Sequence, residues 1–389
     1  MNERSIATSV NAHNVSFTYP LGARPGIQGV SDVSFSVSPG QCLLITGDSG
    51  SGKSTVLKLI NGLIPHFNPG ELLGTITIIK DDQAFNPAEE PLFRAIEFSA
   101  SVFQNPRTQF FTESVNAELA FGLENLGVDP KEIESRIQSA VELLGINDLR
   151  GRRFKELSGG QLQTVACACA LVSPGSLVLL DEPTANLDPA GARDVVRAVS
   201  RLVEETGATL VVVEHQHAAW DGVLDRAVEL DHGRIVADTS FAEVAQRRQV
   251  SGLPQARRLG EAELAQREAA LWSTDLVTRY GPPRTIALPA GASTVITGPN
   301  GAGKSTWLMT MAGLLPAKSG EIGVADFVRR GVKGSPLRWK SRELADRIGF
   351  VFQNPEHQFV ARTVAEELRV APKVMRVEPP EERIAQLVE

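Results

Sequence analysis

The run "LVLLDEP" (177–183) ends an apolar stretch in two carboxylates, Asp181 and Glu182, downstream of a glycine-rich turn, "GDSGSGKST" (47–55). The turn fits the pattern G-x-x-x-x-G-K-[ST], and Gly47, Ser49, Gly50, Ser51, Gly52, Lys53, Ser54 and Thr55 form its phosphate-holding part. Glycines there let backbone N–H groups close on phosphate oxygens, and the helix that follows aims the positive end of its dipole at them. Lys53 is placed to reach the β and γ phosphates of a nucleotide, and the Ser54 hydroxyl a Mg²⁺ ion. Asp181 supplies the other half of a Mg–ATP centre, near the metal, and Glu182 polarises an attacking water. His215 ends the next apolar run, "ATLVVVEH" (208–215), where an imidazole contacts the γ phosphate. His217, in the same neighbourhood, has no role that the sequence assigns.

The loop is written twice. "ITGDSGSGKST" (45–55) returns as "ITGPNGAGKST" (296–306), displaced by 251 residues, and "VFQNPRTQF" (102–110) returns as "VFQNPEHQF" (351–359), displaced by 249. Near-equal offsets over two motifs mean duplicated domains. The second loop supplies Gly298, Asn300, Gly301, Ala302, Gly303, Lys304, Ser305 and Thr306. The repeat continues in Val115, Glu118 and Leu119, which match Val364, Glu367 and Leu368.

The elements that must hold these residues read as α/β. A short apolar strand (41–47) enters the first loop, and a helix (53–62) closed by Asn-Gly leaves it. The stretches 176–183 and 208–215 have the continuous apolar pattern of buried strands. Between them, residues 189–207 form an amphipathic helix with Ala192, Val195, Val196, Val199, Leu202 and Val203 on one face, ended by Gly207. Residues 226–238 read as a hairpin turning at Asp-His-Gly. Alternating strands and helices imply a mainly parallel sheet. A charged, Ala-rich stretch (246–270) reads as a tether or short helical connector between a complete first copy (1–245) and the start of a second (271–389).

A length of 389 residues suits two domains, and 42% hydrophobic with 22% charged residues is the composition of a globular protein. The net charge of −7 gives no bulk electrostatic reason to hold nucleic acid. Three cysteines, Cys42, Cys167 and Cys169, have no disulfide-like spacing, which points to a reducing compartment and to burial as small apolar residues. The N-terminal "MNERSIATSV" lacks the apolar core of a signal peptide, and runs such as "TLVVV" are too short to span a bilayer. The expectation is a cytoplasmic chain, soluble or peripheral to a membrane.

With "LSGGQ" (157–161), its most specific motif, the sequence resembles the ABC-type ATPases. The order agrees: Tyr19, phosphate loop, Gln104 in "VFQNP", signature, "LLDEPTANLD", then His215. The resemblance spans residues 10–240 and the start of the second copy. It implies a P-loop NTPase (ABC ATPase) domain with a mainly parallel sheet, an antiparallel β part and a helical subdomain, followed by a partial second copy. It implies that Tyr19 stacks on adenine and that Gln104 contacts Mg²⁺ and the attacking water. Asp188, in "ANLD", communicates across a dimer of domains. Tyr280, Ser305 and Gln353 take the matching nucleotide and metal positions in the second copy. In this family ATP lies between two domains, so Ser158, Gly159, Gly160 and Gln161 act on the nucleotide of a partner domain, within or between chains. Thr164 stands where the family usually has a basic residue, which leaves the start of the signature helix less basic.

The segments 103–128 and 61–78 are similar to the ATPases of energy-coupling-factor importers, and the tandem layout to their fused form, some members of which are linked to thiamine-precursor uptake. This resemblance implies ATP hydrolysis driving import of a vitamin or other micronutrient at the cytoplasmic face of the membrane. The implied partners are a membrane-embedded coupling subunit and a substrate-capturing subunit. A soluble tandem ATPase acting on ribosomes or DNA, a sugar-importer ATPase, and a non-hydrolysing regulator or truncated relic stand as alternatives. The acidic balance weighs against the first.

The first copy runs 53 residues from Gln104 to Leu157, which places a second signature near residue 406. The expectation is therefore a second copy cut short, with neither site complete within one chain. "TVIT" (294–297) is expected as a strand without its neighbours, and residues 271–389 as less stable than 1–245.

Overall fold

The computed structural model describes residues 8–21, 24–185, 187–215, 217–250, 259–279, 281–352 and 358–388. The chain divides into two compact units, Met1–Pro254 and Gln255–Glu389.

In chain order, the first unit begins with β1 (Thr8–Leu21), β2 (Arg24–Val37), β3 (Cys42–Gly47), α1 (Lys53–Ile60), β4 (Glu71–Lys80), β5 (Gln83–Phe85) and β6 (Ser99–Val102). It continues with α2 (Val115–Asn125), α3 (Pro130–Leu144), α4 (Gly159–Val172), β7 (Leu177–Asp181), α5 (Pro189–Thr206) and β8 (Thr209–Val213). The hairpin of β9 (Arg226–Asp231) and β10 (Arg234–Ser240) follows, then α6 (Phe241–Val250).

Two sheets form. One is antiparallel, in the order β2-β1-β4-β5; the other has six strands in the order β10-β9-β3-β8-β7-β6. Within the second, β3 runs parallel to β8 and β9, and β7 parallel to β8 and β6. Strands this apolar are stable only with both faces covered. Along β3, Leu43 and Ile45 enter the core shared with α1 and the antiparallel sheet, while Cys42 and Leu44 enter the core built from α2 to α5. The period of two along one strand thus feeds two cores.

The predicted helix 189–207 is α5, capped by the Asp188 carboxylate on the Gly191 N–H (2.8 Å) and closed by Gly207 at φ 62. The predicted hairpin turns through His232 and Gly233, both at positive φ. Cys42 and Cys167 are buried and Cys169 half-buried, all three free thiols. Burial pushes the Cys42 and Cys167 thiols up to about 12, so they are inert apolar fillers as read from the sequence.

The second unit contains α7 (Glu261–Ala265), β11 (Ala269–Val277), β12 (Arg284–Pro289), α8 (Lys304–Met311), β13 (Ser319–Val324), α9 (Val364–Met375) and α10 (Glu381–Val388). Its sheet is antiparallel, in the order β12-β11-β13, over a small core of Leu276, Trp307, Met311 and Ile322.

The division at 254/255 falls inside the stretch 246–270, into which the end of α6 reaches and in which α7 lies. One expectation is corrected. "TVIT" is not a strand: Val295 is 82% exposed, whereas its counterpart Leu44 is fully buried in β3. Val351 is likewise 83% exposed against 0% for Val102 in β6. The physical reason is pairing. In the first unit these segments are held by β7, β8 and β9, and a strand without neighbours leaves its backbone groups to water.

Candidate nucleotide site

β3 runs into the first loop, and the loop's turns are made by Gly47, Gly50 and Gly52 at φ 142, 82 and 102. Sterics demand glycine at two of them. A Cβ on Gly47 would stand 2.1 Å from the Leu230 carbonyl oxygen, and one on Gly52 2.5 Å from that of Gly29. Gly52 heads α1 with no side-chain cap, so the first-turn N–H groups remain for an anion. Lys53 is buried and arches back: its ammonium donates to the carbonyls of Gly47 (2.9 Å) and Asp48 (2.7 Å). The Tyr19 hydroxyl lies 3.1 Å from that of Thr55 in α1, with its ring edge-on to Phe17, so the aromatic expected at the base stands beside the loop helix.

At the end of β7, the Asp181 carboxylate accepts from the Ser54 hydroxyl (3.3 Å). Burial, and then the neighbouring Glu182 charge, hold its carboxyl above the ordinary carboxylate value, with the Ser54 bond opposing. A hard oxygen pair short of positive charge fits Mg²⁺, which takes one or two protein oxygens and completes its shell from phosphates and water. Among the described residues no group of three or more His, Cys, Asp or Glu side chains forms a metal cage.

Glu182 sits in the left-handed region, φ 47, with its N–H on the Val213 carbonyl (2.9 Å). One carboxylate oxygen accepts from Gln104 Nε2 at 2.8 Å, and the other lies 3.2 Å from His215 Nε2. Gln104, Glu182 and His215 come from the ends of three neighbouring strands, β6, β7 and β8, and meet on one carboxylate. His217 is buried; its Nε2 contacts the Thr46 hydroxyl (3.0 Å) and the Glu214 carbonyl (3.2 Å), a packing role.

The signature forms a second group. Ser158 caps α4 in a reciprocal box: the Gln161 N–H donates to Ser158 Oγ (3.3 Å), and the Ser158 N–H to Gln161 Oε1 (3.0 Å). The side chain of Gln161 is therefore engaged in its own helix start. A Cβ on Gly160 would meet Gly191 Cα at 3.4 Å, and one on Gly159 the Leu187 side chain at 3.3 Å, so α4 and the Asp188-capped α5 start side by side. Thr164 is buried and donates to the Gly160 carbonyl (3.0 Å).

The second loop repeats the first. Gly298, Gly301 and Gly303 take φ 145, 80 and 83, and the Lys304 ammonium donates to the Gly298 (2.7 Å) and Pro299 (2.8 Å) carbonyls. Asn300 and Ala302 lie in the turn and Ser305 and Thr306 open α8, while Arg284 donates to the Ala302 carbonyl (2.9 Å), a contact the sequence did not signal. Tyr280 and Gln353 lie outside the described residues.

Further features also escaped sequence reasoning. Glu118, buried in α2, accepts from the Phe111 and Thr112 N–H groups and the Thr112 hydroxyl, while Gln109 Oε1 accepts from the Phe103 N–H (3.0 Å). Both ends of the loop bearing Gln104 are pinned. Glu367 and Gln358 make the corresponding bonds to Val360, Ala361 and Phe352. The only sequence signal was the match of Glu118 with Glu367. Beside this loop lies an apolar groove of about 580 Å³, lined by Leu63, Phe93, Phe103, Phe111, Phe121 and Leu126 among others. Phe93 and Phe111 are 74% and 78% exposed.

A phosphate loop ahead of a helix, a carboxylate-ended parallel strand and a capped signature helix together define a P-loop ATPase cassette. The ABC transporter family profile matches residues 30–185 and 284–389, and the chain belongs to that family. It is an ABC ATPase subunit of a transporter. Over 397 residues it is 32% identical to a Bacillus subtilis protein named as the putative HMP/thiamine import ATP-binding protein YkoD, covering 92% of this chain and 70% of that one. It is 31% identical to a putative ABC transporter ATP-binding protein of Treponema denticola, over 94% of this chain and 75% of the relative. Among solved structures, CbiO1 of Clostridium perfringens, part of the ABC transporter complex CbiONQ, superposes at a TM-score of 0.54 with 26% identity, covering 62% of this chain and 92% of that one. A bacterial ABC transporter cassette solved as a dimer superposes at 0.51 with 25% identity, over 60% of this chain and 98% of its own.

Proposed function

We propose that the chain is the ATP-hydrolysing subunit of an energy-coupling-factor importer for a vitamin or other micronutrient, acting at the cytoplasmic face of the membrane. The observation that carries hydrolysis is the meeting of Gln104 and His215 on the Glu182 carboxylate beside the phosphate loop. In this reading Lys53 and the α1 N-terminus hold the phosphates, and Glu182 takes the proton of the attacking water. Gln104 and His215 keep that carboxylate oriented, and His215 faces the γ phosphate. Ser54 and Asp181 hold Mg²⁺, which when bound offsets phosphate charge. Ser158, Gly159 and Gly160 complete the site of a partner domain, with Asp188 at the joint. The apolar groove beside Phe93 and Phe111 is the seat for the membrane coupling subunit. The kind of cargo rests on the thiamine-precursor name of the Bacillus relative and on the importer-like segments.

The test is Mg–ATPase activity per chain against chain concentration. Specific activity that rises with concentration, and is lost in Glu182→Gln with ATP binding retained, supports hydrolysis by paired first units. ATP binding without turnover at every concentration favours a non-hydrolysing regulator.

A further inference from the structure

We propose that Glu214 is a positioning residue that aligns Glu182 with His215 by tying together the two backbone segments that carry them; this rests on the hydrolytic role given to that pair. Glu214 follows β8 and is 2% exposed. One of its carboxylate oxygens accepts from the Thr184 hydroxyl at 2.5 Å and from the Thr184 N–H at 3.4 Å. The other accepts from the His215 N–H at 2.8 Å. Thr184 is itself buried and stands two residues beyond Glu182. One buried carboxylate therefore bridges the exit of β7 to the exit of β8.

The bridge has a task. Glu182 holds a left-handed backbone conformation that side chains disfavour, and such a residue stays put only where its surroundings over-determine it. The turn after Glu182 is closed by the Ala185 N–H on the Glu182 carbonyl (3.0 Å), and Glu214 fixes that turn relative to His215. A buried carboxylate is costly unless donors satisfy it. Here the donors come from both segments, so a shift of either one breaks a hydrogen bond to this carboxyl group. The Glu182–His215 spacing of 3.2 Å is the quantity that this arrangement protects.

The experiment compares Glu214→Gln, Thr184→Val and Thr184→Ser in the full chain. Glutamine offers one acceptor oxygen in place of two, and valine removes the hydroxyl at nearly constant volume. Glu214→Gln and Thr184→Val are expected to lower kcat by about 10- to 100-fold, as small misplacements do. KM for Mg–ATP stays within about twofold, and Thr184→Val stays folded with a thermal midpoint lowered by the lost bond to the buried carboxylate. Thr184→Ser restores kcat, and the double variant is no worse than the poorer single one, because both cut the same tie. Nitrogen NMR of the His215 imidazole in nucleotide-free chain gives a readout independent of turnover: its hydrogen-bonded signal moves towards that of a free imidazole in Thr184→Val and not in Thr184→Ser. Folded Thr184→Val with parental kcat and an unmoved His215 signal overturns the proposal. If the parent chain itself lacks turnover, the hydrolytic reading fails, and the His215 signal alone decides the positioning role. If Glu214→Gln does not fold, the valine and serine pair decides it.

Discussion

Asp181 is held above the ordinary carboxylate value by its burial and by Glu182. A carboxyl whose folded value is raised binds its proton more tightly in the folded chain than in the unfolded one. Its contribution to stability is therefore full below the unfolded value and is lost as pH rises through the folded value. At neutral pH the nucleotide-free chain carries that loss. Asp181→Asn keeps an oxygen for the Ser54 hydroxyl and removes the charge. The expected result is a higher thermal midpoint at neutral pH without Mg²⁺, together with weaker Mg²⁺-dependent ATP binding. A midpoint unchanged from pH 4 to pH 7 in both chains would contradict this account. In the proposed role of Asp181, the stability given up at the carboxylate would be regained when the cation binds.

The glycines of the loop and of the signature look alike in the sequence but differ as parts of their elements. Gly47 joins β3 to the phosphate turn with a carbonyl 2.1 Å from where a Cβ would go, whereas Gly160 sits inside α4 with its nearest contact at ordinary van der Waals distance. Gly47→Ala is expected to cost several degrees of thermal midpoint. Gly160→Ala is expected to be neutral or to gain up to about 1 kcal/mol from helix propensity. Denaturation of the two variants side by side measures the contrast.

At the same scale, β7, β8 and α5 were legible because a continuous apolar run and a 3.6-residue stripe are local patterns. The Glu182 and His215 candidates were legible as strand ends after a phosphate loop, and Gln104 only through the resemblance of "VFQNP" to the family. The tasks of Glu214 and Glu118 were not, since a buried carboxylate is explained by its donors, and those lie up to 30 residues away in the Glu214–Thr184 bond. "TVIT" has a strand's composition, but pairing is a property of neighbours and not of the segment.

The two units differ in how far their repeated parts are packed. The first surrounds β3 with strands on both sides and helices on both faces, while the matching stretch of the second leaves Val295 largely in water. Hydrogen exchange follows local opening, so amides of residues 292–298 are expected to exchange orders of magnitude faster than those of β3. Equal protection of the two stretches would contradict the difference. In the first unit the loop, Asp181, Glu182 and His215 follow the same end of the neighbouring parallel strands β3, β7 and β8, which is where the proposed chemistry would take place.

The loop from Phe103 to Thr112 is pinned by Gln109 at one end and by Glu118 at the other, with Gln104 near its start and Phe111 exposed near its end. If Phe111 and Gln104 move together as parts of this pinned segment, an occupant of the groove and the nucleotide are coupled. Thermodynamic reciprocity then runs in both directions. A partner on Phe111 that favours one placement of Gln104 changes the affinity for nucleotide by some factor, and nucleotide changes the grip on that partner by the same factor. The hold of the groove on its occupant would report what lies in the phosphate loop.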